Sequence, residues 1–125
     1  MVYLLDTNVI IRFLVGDHQE HLEIATEIFT KIELGEYQVE ILEPVIMEAL
    51  FVMVKFYKLP QLEVIGDLKK IISLKGVVGD KILLIETLHI IEDKNIDFVD
   101  ALICAKSRLQ GYGKLSFDKD VNKKC

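Results

Sequence analysis

With 125 residues, 51% of them apolar, the chain is long enough for one domain with a core and too short for two. No low-complexity tract interrupts it, which excludes the disordered class. Twenty acids against fifteen bases give a formal net charge of −5, which argues against a broad basic face for nucleic acid but leaves room for an acidic cleft neutralised by a cation.

Val2–Leu5 is a short apolar run ending at Asp6, and reads as a strand buried on both faces. Thr7–Val15 follows with helical spacing and stops at Gly16. His18–Leu34 is an amphipathic helix with Leu22, Ala25, Ile28, Phe29 and Ile32 on one face and Gly35 as its end. Gln38–Leu42 alternates as a strand does, and Pro44 then opens a long apolar helix to about Tyr57. Pro60 starts a helix that reaches about Leu74. Val77–Val78 reads as a minimal strand, and Asp80–Lys94 as a helix from the spacing of Ile82, Ile85, Leu88 and His89. A last helix over Asp97–Gln110 precedes a turn between Gly111 and Gly113, a strand over Lys114–Phe117, and Asp118 at that strand's end. Alternation of this kind predicts an α/β fold, a mostly parallel sheet with helices on both faces, in a single domain over 1–125.

Asp6, Asn8 and Arg12 break the apolar opening, so neither a signal peptide nor a membrane span is expected, and a reducing cytoplasm is the expected compartment. Cys104 and Cys125 are too few and too poorly placed to suggest a disulfide framework or a zinc site. Cys104 falls in an apolar helical pattern and reads as a buried core thiol, and Cys125 as a mobile terminal residue. His18, His21 and His89 form no metal-ligand pattern; the first two open an exposed helix.

Parallel α/β sheets bind ligands beyond the carboxyl ends of their strands. Asp6 and Asp118 follow predicted strands directly, Glu48 lies in the first turns of the helix after the second strand, and Asp100 in the first turn of the helix before the last strand. Gathered in one cleft they would repel: two carboxylates ~5 Å apart cost about 3 kcal/mol at an effective dielectric near 20. Either their pKa values rise or a metal neutralises them, and a set of oxygen donors suits Mg²⁺ or Mn²⁺ rather than zinc. Each acid also has an ordinary reading. Asp6 could cap a helix, and Asp100 could close a capping box opened by Asp97. Glu48 shares its stripe with Lys55 as a solvated strip would, and Asp118 competes with Asp120 and with a plain turn aspartate.

Three blocks, "LLDTNVIIRFL", "DFVDALICA" and "LSFDKDV", in this order and with Glu48 between the first two, resemble the marks of the PIN-domain family, most closely its VapC-type toxins. The resemblance runs from Val2 to Asp120. It implies a three-layer α/β/α domain with a mostly parallel sheet of four strands, a fifth left open, and Mg²⁺- or Mn²⁺-dependent endonucleolytic cleavage of RNA. Onto this chain it places the acids at Asp6, Glu48, Asp100 and Asp118, with Thr7, Asn8 and Ser116 as supporting polar groups. Family members usually continue past the last acid into a further edge strand; here the sequence stops at Asn122–Cys125, which leaves that strand absent or supplied by a partner. The toxin reading implies an antitoxin partner. Rival readings are a PIN nuclease for RNA maturation or structured DNA, and a scaffold that binds without cutting. In the Pro44–Tyr57 helix, Ile46, Ala49, Leu50, Met53 and Tyr57 form a core face while Met47, Phe51 and Val54 widen the apolar arc. That second face predicts a homodimer or an antitoxin contact, against burial under the Pro60–Leu74 helix.

Overall fold

The computed structural model of the protein describes all 125 residues. Its contacts fall into two compact units, Met1–Gly79 and Asp80–Cys125. The first contains β1 (Val2–Leu4), α1 (Thr7–Val15), α2 (Gln19–Leu34), β2 (Gln38–Glu40), α3 (Glu43–Phe51), a π turn (Val52–Phe56), α4 (Gln61–Ile72) and β3 (Val77–Val78). The strands form one parallel sheet in the order β1-β2-β3, with Tyr3 opposite Val39 and Val39 opposite Val77. Helices fill both crossovers, as parallel strands require.

Local chemistry sets the helix ends. Gly16 adopts the left-handed conformation (φ 69°) and its N–H closes α1 on the Arg12 carbonyl, a geometry that only glycine adopts at little cost. The His18 ring accepts from the His21 N–H at 3.2 Å and so caps α2. Pro44, in the first turn of α3, sacrifices no intrahelical bond. That helix does not run on to Tyr57 as one α-helix: from Val52 it widens, with the Tyr57 N–H donating to the Val52 carbonyl. Ile10, Ile32, Val39, Ile46, Met53, Ile65, Leu68 and Ile72 are fully buried, each such side chain stabilising the fold by roughly 1.5–3 kcal/mol. Phe13 and Phe29 join α1 to α2 with ring centroids 4.5 Å apart.

β1 is not buried on both faces. Val2, Tyr3 and Leu4 are exposed, and only Leu5 after the strand is buried. The reason is position: β1 is the sheet's edge, with β2 its one hydrogen-bonded neighbour, and the Tyr37 ring beside Tyr3 gives partial cover. Ile46, Ala49, Leu50 and Met53 are buried as their stripe predicts, while Met47 and Phe51 stay exposed rather than being covered by α4.

The second unit is α5 (Lys81–Lys94), α6 (Phe98–Gln110) and a terminal π turn (Asp120–Lys124). The Asp80 carboxylate accepts from the Leu83 N–H at 3.1 Å and caps α5. The helix is as predicted, but its buried stripe is Leu83, Leu84, Thr87, Leu88 and Ile91; Ile82 is 70% exposed. Thr87 is tolerated inside because its hydroxyl donates to the Leu83 carbonyl. Asn95 in the left-handed region ends α5, and α6 packs on it through Phe98, Ala101, Cys104 and Ala105. Arg108 of α6 pairs with Glu86 of α5 at 3.6 Å.

Two expectations fail here. Lys114–Phe117 forms no strand, and Leu115 and Phe117 are wholly exposed. Alternation alone cannot make a strand without an edge to pair with, and this unit supplies only helices. The sheet therefore has three strands, not four. Cys125 is not a free end: the terminal turn packs on α6 and a disulfide joins Cys125 to Cys104. Sequence spacing carries no sign of this, since the return of the chain to α6 is a tertiary event. No helix is long and apolar enough to cross a membrane.

Candidate metal centre

Asp100 stands in the first turn of α6 and is half-buried. One turn later Cys104 is held in the core, and Ala101 beside Asp100 is completely buried. This packing fixes the face on which the Asp100 carboxylate emerges. Asp118 reaches the same place from the segment after α6. Its N–H donates to Ser116 Oγ at 2.9 Å, and its own Oδ1 accepts from the Asp120 N–H at 2.7 Å. The Asn122 amide donates to the Ser116 carbonyl at 2.9 Å, so Ser116 is bonded on both sides. The turn aims Asp118 and Asp120 together. One carboxylate oxygen from each of Asp100, Asp118 and Asp120 lies within 4.8 Å of the others.

Burial raises the Asp100 pKa above its ordinary value, and the neighbouring charges of Asp118, Asp97 and Asp120 raise it further. The physical situation is a cluster of like charges beside a half-buried carboxyl, each of which disfavours its ionised form. Among bases nearby, Lys124 pairs with Asp120 at 3.5 Å, a partly exposed contact that removes little of the repulsion. Three carboxylates at this separation, with no sulfur or imidazole among the donors, fit a hard divalent cation such as Mg²⁺ or Mn²⁺.

The predicted acids are distributed over both units. Asp100 and Asp118 are brought together in the second. Asp6 is the residue before α1 in the first, extended (φ −83°, ψ 148°), exposed, and without a side-chain capping bond. A cap is therefore not what its carboxylate does. Glu48 is on α3 with an exposed side chain. Thr7 is buried in the first turn of α1 and Asn8 is exposed. Asp97 occupies the capping position of α6 but makes no side-chain capping bond either. The residue that sequence reasoning undervalued is Asp120, weighed as a competitor of Asp118. Its spacing of two from Asp118 was the available signal, because a turn can point both carboxylates the same way where a strand could do so only along one face.

A family model, that of the PIN domain, matches residues 3–125 and so spans both units. The chain belongs to the PIN-domain family. Among curated proteins and among solved structures none matches. The mostly helical α/β architecture with its parallel sheet agrees with the α/β/α fold of PIN domains, here with three strands. PIN domains are in general nucleases, hydrolases that typically use divalent metals, and the carboxylate cluster of this PIN domain is a donor set of that kind.

Proposed function

We propose that this PIN-domain protein is a Mg²⁺- or Mn²⁺-dependent endoribonuclease, the toxin of a toxin–antitoxin pair, working in the cytoplasm as one domain over 1–125. The observation that carries the reading is the convergence of Asp100, Asp118 and Asp120, with Asp100 raised in pKa, inside a chain that the PIN family model covers almost end to end. Asp6, Asp100 and Asp118 are assigned as metal ligands, and Glu48 as a ligand or the base that orients the attacking water. Thr7, Asn8 and Ser116 support them; the Ser116 hydroxyl already holds the Asp118 backbone. A bound divalent cation would polarise a phosphoryl oxygen and lower the pKa of a water.

The partner assignments rest on surface chemistry. Met47, Phe51 and Phe56 are 37%, 63% and 75% exposed, an apolar patch suited to a homodimer. A groove of about 300 Å³ in the first unit, lined by Phe13, Phe29, Thr30, Asp67, Lys70 and Leu74, suits an antitoxin segment.

Incubating total RNA with the protein, with and without Mg²⁺, tests the reading. Wild type should cut only with the cation, and Asp6→Asn and Asp100→Asn should reduce cleavage by orders of magnitude while leaving circular dichroism unchanged. Metal-independent cleavage, or full activity in both variants, would remove the proposed site. Cleavage of structured DNA in preference to RNA would overturn the substrate assignment alone.

A further inference from the structure

Cys104 is completely buried on α6, one turn beyond Asp100. Its disulfide partner, Cys125, lies 21 residues further on with the two Cα atoms 5.4 Å apart, within the usual span for such bonds. The loop closed in this way carries Ser116, Asp118 and Asp120. It has few other anchors. Val121 is buried, Arg108 donates to the Cys125 carbonyl at 3.0 Å, and at the loop's start the Ser107 hydroxyl donates to the Tyr112 carbonyl. Tyr112, Leu115, Phe117 and Asp118 are exposed and lie outside any helix or strand. Against these anchors works the repulsion among the three carboxylates, which favours departure of the loop from α6.

We infer that the Cys104–Cys125 disulfide is a redox-labile clasp that holds Asp118 and Asp120 against Asp100, so that cation binding there follows the thiol redox state. The inference rests on the proposed function, with these acids as a cation site and the protein in the cytoplasm. Both cysteines are positioning residues. Intracellular disulfides, where they form, are commonly transient and redox-sensing. Opening balances by exchange with a small-molecule thiol. Its thiolate attacks Sγ of the less buried Cys125, the S–S bond breaks, and Cys104 leaves as a thiolate and takes a proton. A second thiol then attacks the mixed disulfide, releasing the Cys125 thiol and an oxidised small-molecule disulfide. The protein gains two electrons and two protons. Closure runs the same steps in reverse, with the small-molecule disulfide as oxidant.

The test compares the full chain, equilibrated with oxidised or reduced glutathione and freed of it anaerobically, with Cys125→Ser, which leaves the buried Cys104 in place. Two readouts are taken: amide exchange along 98–124 and Mn²⁺ affinity from the paramagnetic resonance of the free ion. Reduction should speed exchange over 116–124 and weaken Mn²⁺ binding, each by about tenfold or more as the tethered carboxylates lose effective concentration, while 98–105 stay protected. Cys125→Ser should match the reduced protein and ignore the glutathione ratio. Faster exchange on reduction with no Mn²⁺ bound in either state would keep the clasp and discard the metal reading. Equal exchange in both states, measurable Mn²⁺ binding of equal affinity in both states, or a failure of the two thiols to bond under oxidised glutathione would each overturn the clasp.

Discussion

Ionised Asp100 faces Asp118, Asp97 and Asp120 from a half-buried position, and its raised pKa is a statement about stability as well as chemistry. A carboxyl whose folded pKa lies above its unfolded value binds more protons in the folded state. Stability therefore falls as pH rises from the unfolded value through the folded one, and the full penalty remains above it. With chelator present, Asp100→Asn should stabilise the fold at pH 7 by no more than about 1 kcal/mol, since the charges are partly screened, and so raise the melting temperature. That advantage should shrink as pH falls through the raised folded value toward the ordinary aspartate one, and vanish below it. Millimolar Mn²⁺ should stabilise wild type and scarcely move the variant. A variant that melts below wild type in chelator at pH 7 would mean the carboxylate is structural. The two capping positions separate in the same way. Asp80→Ala removes a bond to the Leu83 N–H and should cost about 1 kcal/mol in urea unfolding. Asp97→Ala removes no such bond and should cost under about 0.5 kcal/mol.

Among the elements, the approach to β3 is the least tolerant of added atoms. A Cβ on Gly76 would collide with the carbonyl oxygens of Tyr37 and Ile32, which are backbone and cannot swing aside. The Gly76 N–H donates to Ile32, and its carbonyl accepts from Val39 of β2. Gly76→Ala should destabilise by about 1–3 kcal/mol, read by urea unfolding; a neutral result would show that the β3 approach shifts freely. Gly76 is visible in the sequence only as a stop after Leu74, because close approach leaves no mark in hydropathy. Helix positions were legible wherever an apolar stripe met a terminator, as at Gly16, Gly35 and Pro44. The rotated stripe of α5 was not, because Ile82 and Ile85 fit helical spacing as well as Leu83, Leu84 and Leu88 do. In a helix this rich in Ile and Leu, packing rather than pattern decides which side is covered.

At the scale of the molecule, the exposed patch of Met47, Phe51 and Phe56 sits where α3 loosens into its π turn. Leaving such side chains in water forgoes roughly 1.5–3 kcal/mol for each that could be fully buried. Phe51→Glu with Phe56→Glu should convert a sedimenting dimer to a folded monomer without loss of stability. A wild type already monomeric at high micromolar concentration would reassign the patch. Asp6 and Asp100 are marked in the sequence by their places at helix starts, whereas Glu48 lies inside α3 and the strand expected to end at Asp118 does not form. Asp118 and Asp120 converge through a hydrogen-bonded turn instead of a strand end, and the disulfide lies beyond any reading of spacing.

The parallel ladders also bear on the order in which structure forms. Pairing β1 with β2 must wait for the chain holding α1 and α2 to close, and β2 with β3 for the chain holding α3 and α4. Loop-closure entropy is lost before either ladder gives anything back. α5 and α6 need only the short turn at Asn95 to meet. Substitutions at Leu88 or Ala101 are therefore expected to slow folding, and Val39→Ala chiefly to speed unfolding, when the two arms of a denaturant chevron are compared. If Val39→Ala slowed folding as much as Ala101→Gly, the sheet would belong to the nucleus. Otherwise the acid-bearing α6 is in place early, and the edge strand β1, with Val2 and Leu4 open to solvent, is among the last elements to gain its neighbour.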